Sequence, residues 1–458
     1  MRSCEVSVNT KKADAGSAAT SADCVPSVSV DAGVTQLIDQ ALACLPLDKA
    51  SGLVVAYSGG VDSHVLLKCV ADWCQSRTAP TGETLSLRAH HIDHALQAES
   101  SAWAAHCDSV CRQLQVELTT TRVLVDLQSG FSPEDAARRA RYDALRADLR
   151  NRELLLLAHH ADDQAETLLL QLFRGAGVNG LASMPAYAVF GRGHLARPML
   201  QVTADRVRDF AKHRRLQWIE DPSNLNDGFD RNLLRNQVMP LLKARWPSIA
   251  TSISRSASHC ADAATINRIF TNGVLGELID KRVLPIRTLA AYSITENKTM
   301  LRCWIEHHGF SMPSTGQLNH LLSDLLSARH DSAGELMWGN ACIRKYRDSL
   351  YLGTRADFQD CKPFCYDWPE LQQSLAIMET GQVLTRQDIP DVFAQGAGGL
   401  VVRSRQGGER IRLAGHPIHK SVKNLFQECS IPPWKRNHLP FIYRGDILIG
   451  IIGIGFTD

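Results

Sequence analysis

From about Thr35 to Phe173 the chain alternates short apolar runs with stretches of helical period, and that alternation restricts the fold more than any other feature. The runs "GLVVAYS", "LSLRAHHI", "ELTTTRVLV" and "ELLLLAHH" read as strands. The stretches "SSAWAAHCDSVCRQLQ", "SPEDAARRARYDALRADLR" and "DDQAETLLLQLF" read as helices. The second helix opens with Ser132-Pro133-Glu134-Asp135, an N-cap followed by a proline at the first helical position and acids in the first turn. A chain that reaches each new strand through a helix builds a parallel sheet covered on both faces. The fold class expected is therefore α/β with a parallel, Rossmann-like sheet. Such sheets bind ligands at the C-terminal ends of their strands, here residues 58–63, 90–94 and 159–166.

At 458 residues the chain is too long for a single core, and its character changes along its length. Residues 1–33 lack helical or strand period and read as a disordered extension; 34–247 form the α/β domain. Residues 248–355 look mainly helical, and 380–458 read as a small α+β domain of short strands and turns. The net charge of +2 neither favours nor excludes a polyanionic partner. Thirteen cysteines, an odd number without any C-x-x-C pair, read as reduced thiols of a cytoplasmic protein, with Cys107 and Cys111 in a helical core. The apolar tail run "LIGIIGIGF" is too short for a bilayer and reads as a strand, so no membrane association is expected.

Chemistry concentrates in "VVAYSGGVDSHVLL" (54–67), a strand that ends in Ser-Gly-Gly and leads into a helix. Backbone amides of Ser58, Gly59, Gly60, Val61, Asp62 and Ser63 can converge on an anion at the helix N-terminus, with two hydroxyls as further donors. The Walker pattern G-x-x-x-x-G-K-[ST] is absent. Asp62 beside a polyphosphate is repulsive unless a divalent cation lies between them, and Mg²⁺ suits such oxygen ligands. Asp163 and Glu166 are three apart at the start of a helix and share a face. One could complete a Mg²⁺ site with Asp62 while the other holds an ammonium group. For "HHADDQAE" a zinc site on His159, His160 and Asp163, or a simply capped helix, is the alternative. Arg231 and Arg235, four apart, suit phosphate neutralisation or a solvated face. "GAGVNG" (175–180) fits a dinucleotide fingerprint but follows a helix instead of a strand, so it reads as a loop closing over the nucleotide.

The loop "SGGVDS" resembles that of the N-type ATP pyrophosphatases, which cleave ATP between the α and β phosphates. Within that superfamily "EDAARRARY" (134–142), "LLLLAHHADDQAETLLLQLFRGAGVNGLASM" (154–184), "WIEDPSNLNDGFDRNLLR" (218–235) and "HKSVKNLFQECSIPPWKRNHLPFIYRGD" (419–446) are similar to the bacterial tRNA(Ile)-lysidine synthetases. The resemblance departs at Ser183, where the family often has glycine, and at "IDHALQ", where Gln97 replaces a basic residue. It implies ligation of L-lysine to C2 of the wobble cytidine of a tRNA(Ile) with a CAU anticodon, using ATP and Mg²⁺. It also implies a metal pair of Asp62 and Asp163, a catalytic Arg231, and a lysine site at Glu166 with Arg138 and Arg141 nearby. A tRNA thiolase on the same loop and a non-catalytic RNA-binding protein are the rival readings; a homodimer is the assembly considered.

Local charge adds an RNA surface. Between 401 and 445 nine basic residues face only Glu409 and Glu428, with Trp434, His419 and His438 interleaved. Arg235, Lys420, Lys423, Lys435 and Arg436 are the candidate phosphate contacts, and Trp434 offers a ring for stacking.

Overall fold

The computed structural model describes residues 30–76, 85–93, 100–124, 133–327, 334–394 and 399–458. Most of the extension expected at 1–33, the N-cap Ser132 and Gln97 lie outside these residues. The chain divides into two compact units, Met1–Ala264 and Thr265–Asp458.

The first unit contains α1 (Val30–Ala43), β1 (Gly52–Ala56), α2 (Val61–Ser76), β2 (Ser86–Asp93), α3 (Ser100–Leu114), β3 (Glu117–Arg122), α4 (Pro133–Asp148) and β4 (Glu153–Leu156). These are followed by α5 (Ala161–Phe173), α6 (Val178–Leu181), β5 (Tyr187–Phe190), β6 (Gly193–Ala196), α7 (Ala204–His213), α8 (Asp230–Leu233), α9 (Met239–Arg245) and α10 (Ile249–Leu275), the last of which crosses the boundary at Ala264. The sheet order is β3-β2-β1-β4-β6-β5, with β5 alone antiparallel. Central β1 shows why an uninterrupted apolar run is required. Leu53 and Val55 join the core beneath α1, α2 and α7, whereas Val54 joins Leu145 and Leu149 of α4 on the other face. The chain passes from β1 to β2 on one side and later returns to β4 on the other. Strand order thus reverses between β1 and β4, and a crevice opens at their C-terminal ends.

A buried charge pair ties the sheet at its opposite end. Arg88 on β2 donates from Nε and an NH2 to the two Glu153 carboxylate oxygens at 2.9 and 2.7 Å, with side chains only 6% and 7% exposed. Burial alone would raise the Glu153 pKa, but Arg88 and the Arg150 amide outweigh it and hold the carboxyl below its usual range. That contribution is present above the unfolded value of about 4.3 and is lost as pH falls through the folded value. Glu153→Ala leaves Arg88 without its bidentate partner and should cost about 3–5 kcal/mol. Thermal melts at pH 7 check this, and the deficit relative to wild type should shrink as the pH is lowered below 4.

The second unit combines helices Ile294–His307 and Thr315–Ser327 with a four-stranded antiparallel sheet. That sheet comprises β7 (Val283–Pro285), β8 (Glu335–Trp338), β9 (Ala341–Tyr346) and β10 (Ser349–Thr354), in the order β7-β10-β9-β8. Between β7 and β8 the chain carries the helices Ile286–Ala290, Ile294–His307 and Thr315–Ser327, which is why the sequence shows the helices and hides the sheet. A five-stranded sheet follows, formed by Cys365–Trp368, Leu400–Arg403, Phe441–Arg444, Ile447–Ile451 and Gly455–Phe456. Its first strand precedes the boundary read at 380 yet pairs in register with Leu400–Arg403.

Trp434 is 9% exposed, packed edge-on against Tyr346, Tyr351 and Phe358, with the Arg344 guanidinium over its ring. The stacking platform expected from sequence is therefore a core residue that fastens Pro433–Arg436 to β9 and β10. Trp434→Ala should lower the stability of this unit by about 3–5 kcal/mol, read by denaturant unfolding. A ring free on the surface would leave stability unchanged.

Candidate active site

The β1–α2 turn is built as a compact ring of hydroxyls and amides. Ser63 Oγ lies 3.1 Å from Ser58 Oγ, accepts from Ser58 N–H and donates to Gly60 C=O at 3.0 Å. Gly59 adopts φ +86°, and a Cβ there would lie 2.8 Å from Ile219 Cδ1 and 3.1 Å from Cys107 Sγ. The segment holding Ile219 is fixed to the turn, its N–H donating to Gly59 C=O at 3.0 Å. Only glycine meets both the backbone and the space requirement. Burial, with a smaller push from Cys111, raises the Cys107 thiol to about 12, so it carries no thiolate for sulfur transfer.

Across the crevice, the β4–α5 turn sorts its polar residues by task. His160 caps α5: its Nδ1 accepts from Asp163 N–H, and Asp163 Oδ2 accepts from His160 N–H at 3.0 Å. His159 Nδ1 accepts from Arg197 Nε at 3.0 Å. Burial is the main cause lowering the His159 pKa to about 3, so the ring is neutral at physiological pH. Each imidazole thus has a protein partner on Nδ1, and the structure favours the capped-helix reading of "HHADD" over zinc. Asp162 accepts from Ala204 N–H at 2.8 Å and pairs with Lys243 at 2.7 Å, so it fastens α5 to α7 and α9. Gln164 makes two hydrogen bonds to the Met184 backbone, at 2.9 and 3.0 Å. Ser183 has φ +56°, a left-handed conformation in which glycine is favoured, the residue that the resemblance leads one to expect there.

Asp163 and Glu166 face two arginines. Arg231 on α8 donates from Nε to Glu166 Oε2 at 2.9 Å and from an NH2 to Thr167 Oγ1 at 3.2 Å. Arg235 donates from Nε to Glu166 Oε1 at 2.8 Å and from an NH2 to Asp163 Oδ1 at 2.8 Å. Arg235 stands in a π-helical segment, Leu234–Val238, between α8 and α9, a local widening common at functional sites. Arg235, read from sequence as a phosphate contact, stands in the carboxylate cluster. Asp62 sits across the crevice, with His160 Nε2 3.7 Å from its Oδ2. Desolvation, reinforced by the Asp163 carboxylate, raises the Asp62 pKa against His160, Arg235 and Arg208. Asp163 behaves oppositely: burial favours its neutral form, but His160, His159, Arg235 and Arg231 outweigh it and hold the pKa well below the usual range. Arg138 donates to Tyr142 OH at 3.4 Å and lies over that ring on α4.

The basic cluster of the second unit is largely engaged within its own fold. Lys420 pairs with Glu428 at 2.7 Å, Arg436 donates to Ile431 C=O and Tyr346 OH, Arg403 covers the Tyr443 ring, and Arg444 donates to Phe393 C=O. Arg410, Arg412, Lys423 and Lys435 are exposed. Counting charges along the sequence therefore overstates the surface available to phosphates.

A mainly parallel sheet whose reversal point carries the Ser58–Ser63 turn defines a PP-loop protein, and residues 28–242 match the PP-loop domain family. Residues 284–351 match the TilS substrate binding domain and 400–458 the TilS substrate C-terminal domain. The tRNA(Ile)-lysidine synthase of Coxiella burnetii is 38% identical, with 89% of this chain and 90% of that protein covered. Those of Alkalilimnicola ehrlichii and Haemophilus influenzae are 38% and 34% identical, over 89% and 88% of this chain and 91% and 95% of theirs. The chain belongs to the tRNA(Ile)-lysidine synthase family.

Proposed function

We propose that the protein joins L-lysine to C2 of the wobble cytidine of a tRNA(Ile) with a CAU anticodon. The cytidine O2 attacks the α-phosphorus of ATP and pyrophosphate leaves. The lysine ε-amine then attacks C2, loses a proton, and AMP departs with the former O2. The observation carrying this reading is that an anion-binding turn and a carboxylate pair with two arginines converge at one strand-order reversal.

The turn of Ser58–Ser63 holds the phosphates through amides and the α2 N-terminus. Glu166, buried and shaped to accept three N–H groups, receives the lysine ammonium. Arg231, 19% exposed, is placed to stabilise charge on the phosphorus oxygens once it leaves Glu166. Arg138 is offered to the lysine carboxylate. Asp62 and Asp163 are the residues that would hold Mg²⁺. They fit it: two like-charged carboxylates oppose each other, and Asp163 already takes a cationic group, Arg235, at 2.8 Å. When bound, the metal would neutralise charge on the departing pyrophosphate. The exposed residues Lys423 and Lys435 are the strongest of the proposed tRNA contacts in the second unit.

Incubating the protein with a CAU-anticodon tRNA(Ile) transcript and labelled lysine, with and without ATP, tests the proposal. Lysine should enter the RNA only with ATP, with one pyrophosphate released per lysine. Sulfur in the product base, or RNA binding with no pyrophosphate, would support the thiolase or the non-catalytic reading.

A further inference from the structure

Helix α5 carries more than its acidic N-terminus. Seven residues beyond Glu166, two turns on and so on nearly the same face, stands Phe173. The spacing puts its backbone about 10 Å along the helix from that of Glu166. Phe173 is 68% exposed, and Leu172, Val178 and Leu233 beside it in sequence or on α8 are also exposed. Three of them, Leu172, Phe173 and Val178, fall within seven residues of chain, and exposed large apolar side chains that cluster mark interaction surfaces. The chain just beyond Phe173 is uncrowded: a Cβ on Gly175 or Gly177 would meet no atom within 4 Å. No acidic residue occurs between Thr167 and Tyr187, while Arg174, directly after Phe173, is exposed. An apolar ring followed by a cation, in a stretch of chain without acidic residues, suits an unstacked nucleotide.

We infer that Phe173 is a stacking platform for a tRNA loop base next to the reacting cytidine, an inference that rests on the proposed function. The reacting base must leave its stack to reach the crevice, and its neighbour loses a stacking partner when it does so. Phe173 replaces that partner, and Arg174 meets the adjoining phosphate.

The test compares Phe173→Ala, Phe173→Leu and Phe173→Trp in the full-length protein with the CAU transcript. Alanine and leucine should each weaken apparent tRNA affinity about tenfold, as expected for one lost base–ring contact, whereas tryptophan should retain it. Melting temperature and ATP affinity should not move. Leucine behaving as wild type would overturn the inference by showing that apolar bulk suffices. So would unchanged tRNA affinity in the alanine variant, or a changed oligomeric state at unchanged tRNA affinity, which would make the face a seam between copies. Wild type separates the two readings: if it does not modify the transcript the functional proposal fails, and if it does while alanine matches it only the platform fails.

Discussion

Asp62→Asn should melt no lower than wild type and yet lose roughly 10²–10³-fold in pyrophosphate release, the scale expected for one electrostatic catalytic group. The sign follows from the raised pKa. A carboxyl whose folded pKa exceeds its unfolded value lends stability below the unfolded value and loses it as pH rises through the folded one. At neutral pH the ionised Asp62 therefore costs the ligand-free fold something, and asparagine removes that cost while keeping the shape. Its side chain is 40% exposed, so no cavity opens. Mg²⁺ with ATP should raise the wild-type melting temperature by mass action and raise that of the variant far less. A variant that melts clearly lower, or that releases pyrophosphate normally across a range of Mg²⁺ concentrations, would show Asp62 to be a structural anchor.

The same two carboxylates show what the sequence could and could not convey. The spacing of Asp163 and Glu166 put both on one helical face, and "SGGVDS" declared an anion site, because both signals are local and obey the periods of helix and turn. The neighbouring Asp162 looks equivalent in sequence, but its oxygens go to Ala204 and Lys243, 42 and 81 residues further on, and no local pattern announces that. Arg235 is another such case: its partners lie 69 and 72 residues earlier. The parallel strands were legible as apolar runs, whereas the β5–β6 hairpin was not. β5, Tyr187–Phe190, is itself apolar but only four residues long, and as an edge strand it leaves Val189 77% exposed, so neither its length nor a polar–apolar alternation marks it in sequence. Trp434 misled because an aromatic among basic residues has the same composition whether it stacks on RNA or fills a core. The deciding partners Tyr346, Tyr351 and Phe358 lie 76 to 88 residues away. The family resemblance reached the site through motifs, but the division of labour within each motif is a matter of three-dimensional contacts.

Glu166→Gln should separate two roles that the structure superimposes. Its carboxylate is 1% exposed and binds Arg231 and Arg235 together, so the amide leaves two guanidiniums with one charged partner fewer. Removing one charge from a buried pair costs about 3–5 kcal/mol; with Arg235 36% exposed, the lower end is expected, a melting shift of several degrees. Arg235→Gln should show a comparable shift, since it breaks the same contacts from the other side. If Glu166 also holds the lysine ammonium, its variant alone should lose a charge-assisted bond worth about 1.5–3 kcal/mol, ten- to a hundredfold in apparent lysine affinity. Adenylation of the tRNA, which needs no lysine, should fall much less. The informative quantity is the ratio of the two losses, because instability reduces both steps by the same factor and cancels. Equal losses in the lysine-dependent and lysine-independent steps would assign Glu166 to holding Arg231 and Arg235 near the nucleotide, and the ammonium site would then have to be sought elsewhere along the crevice.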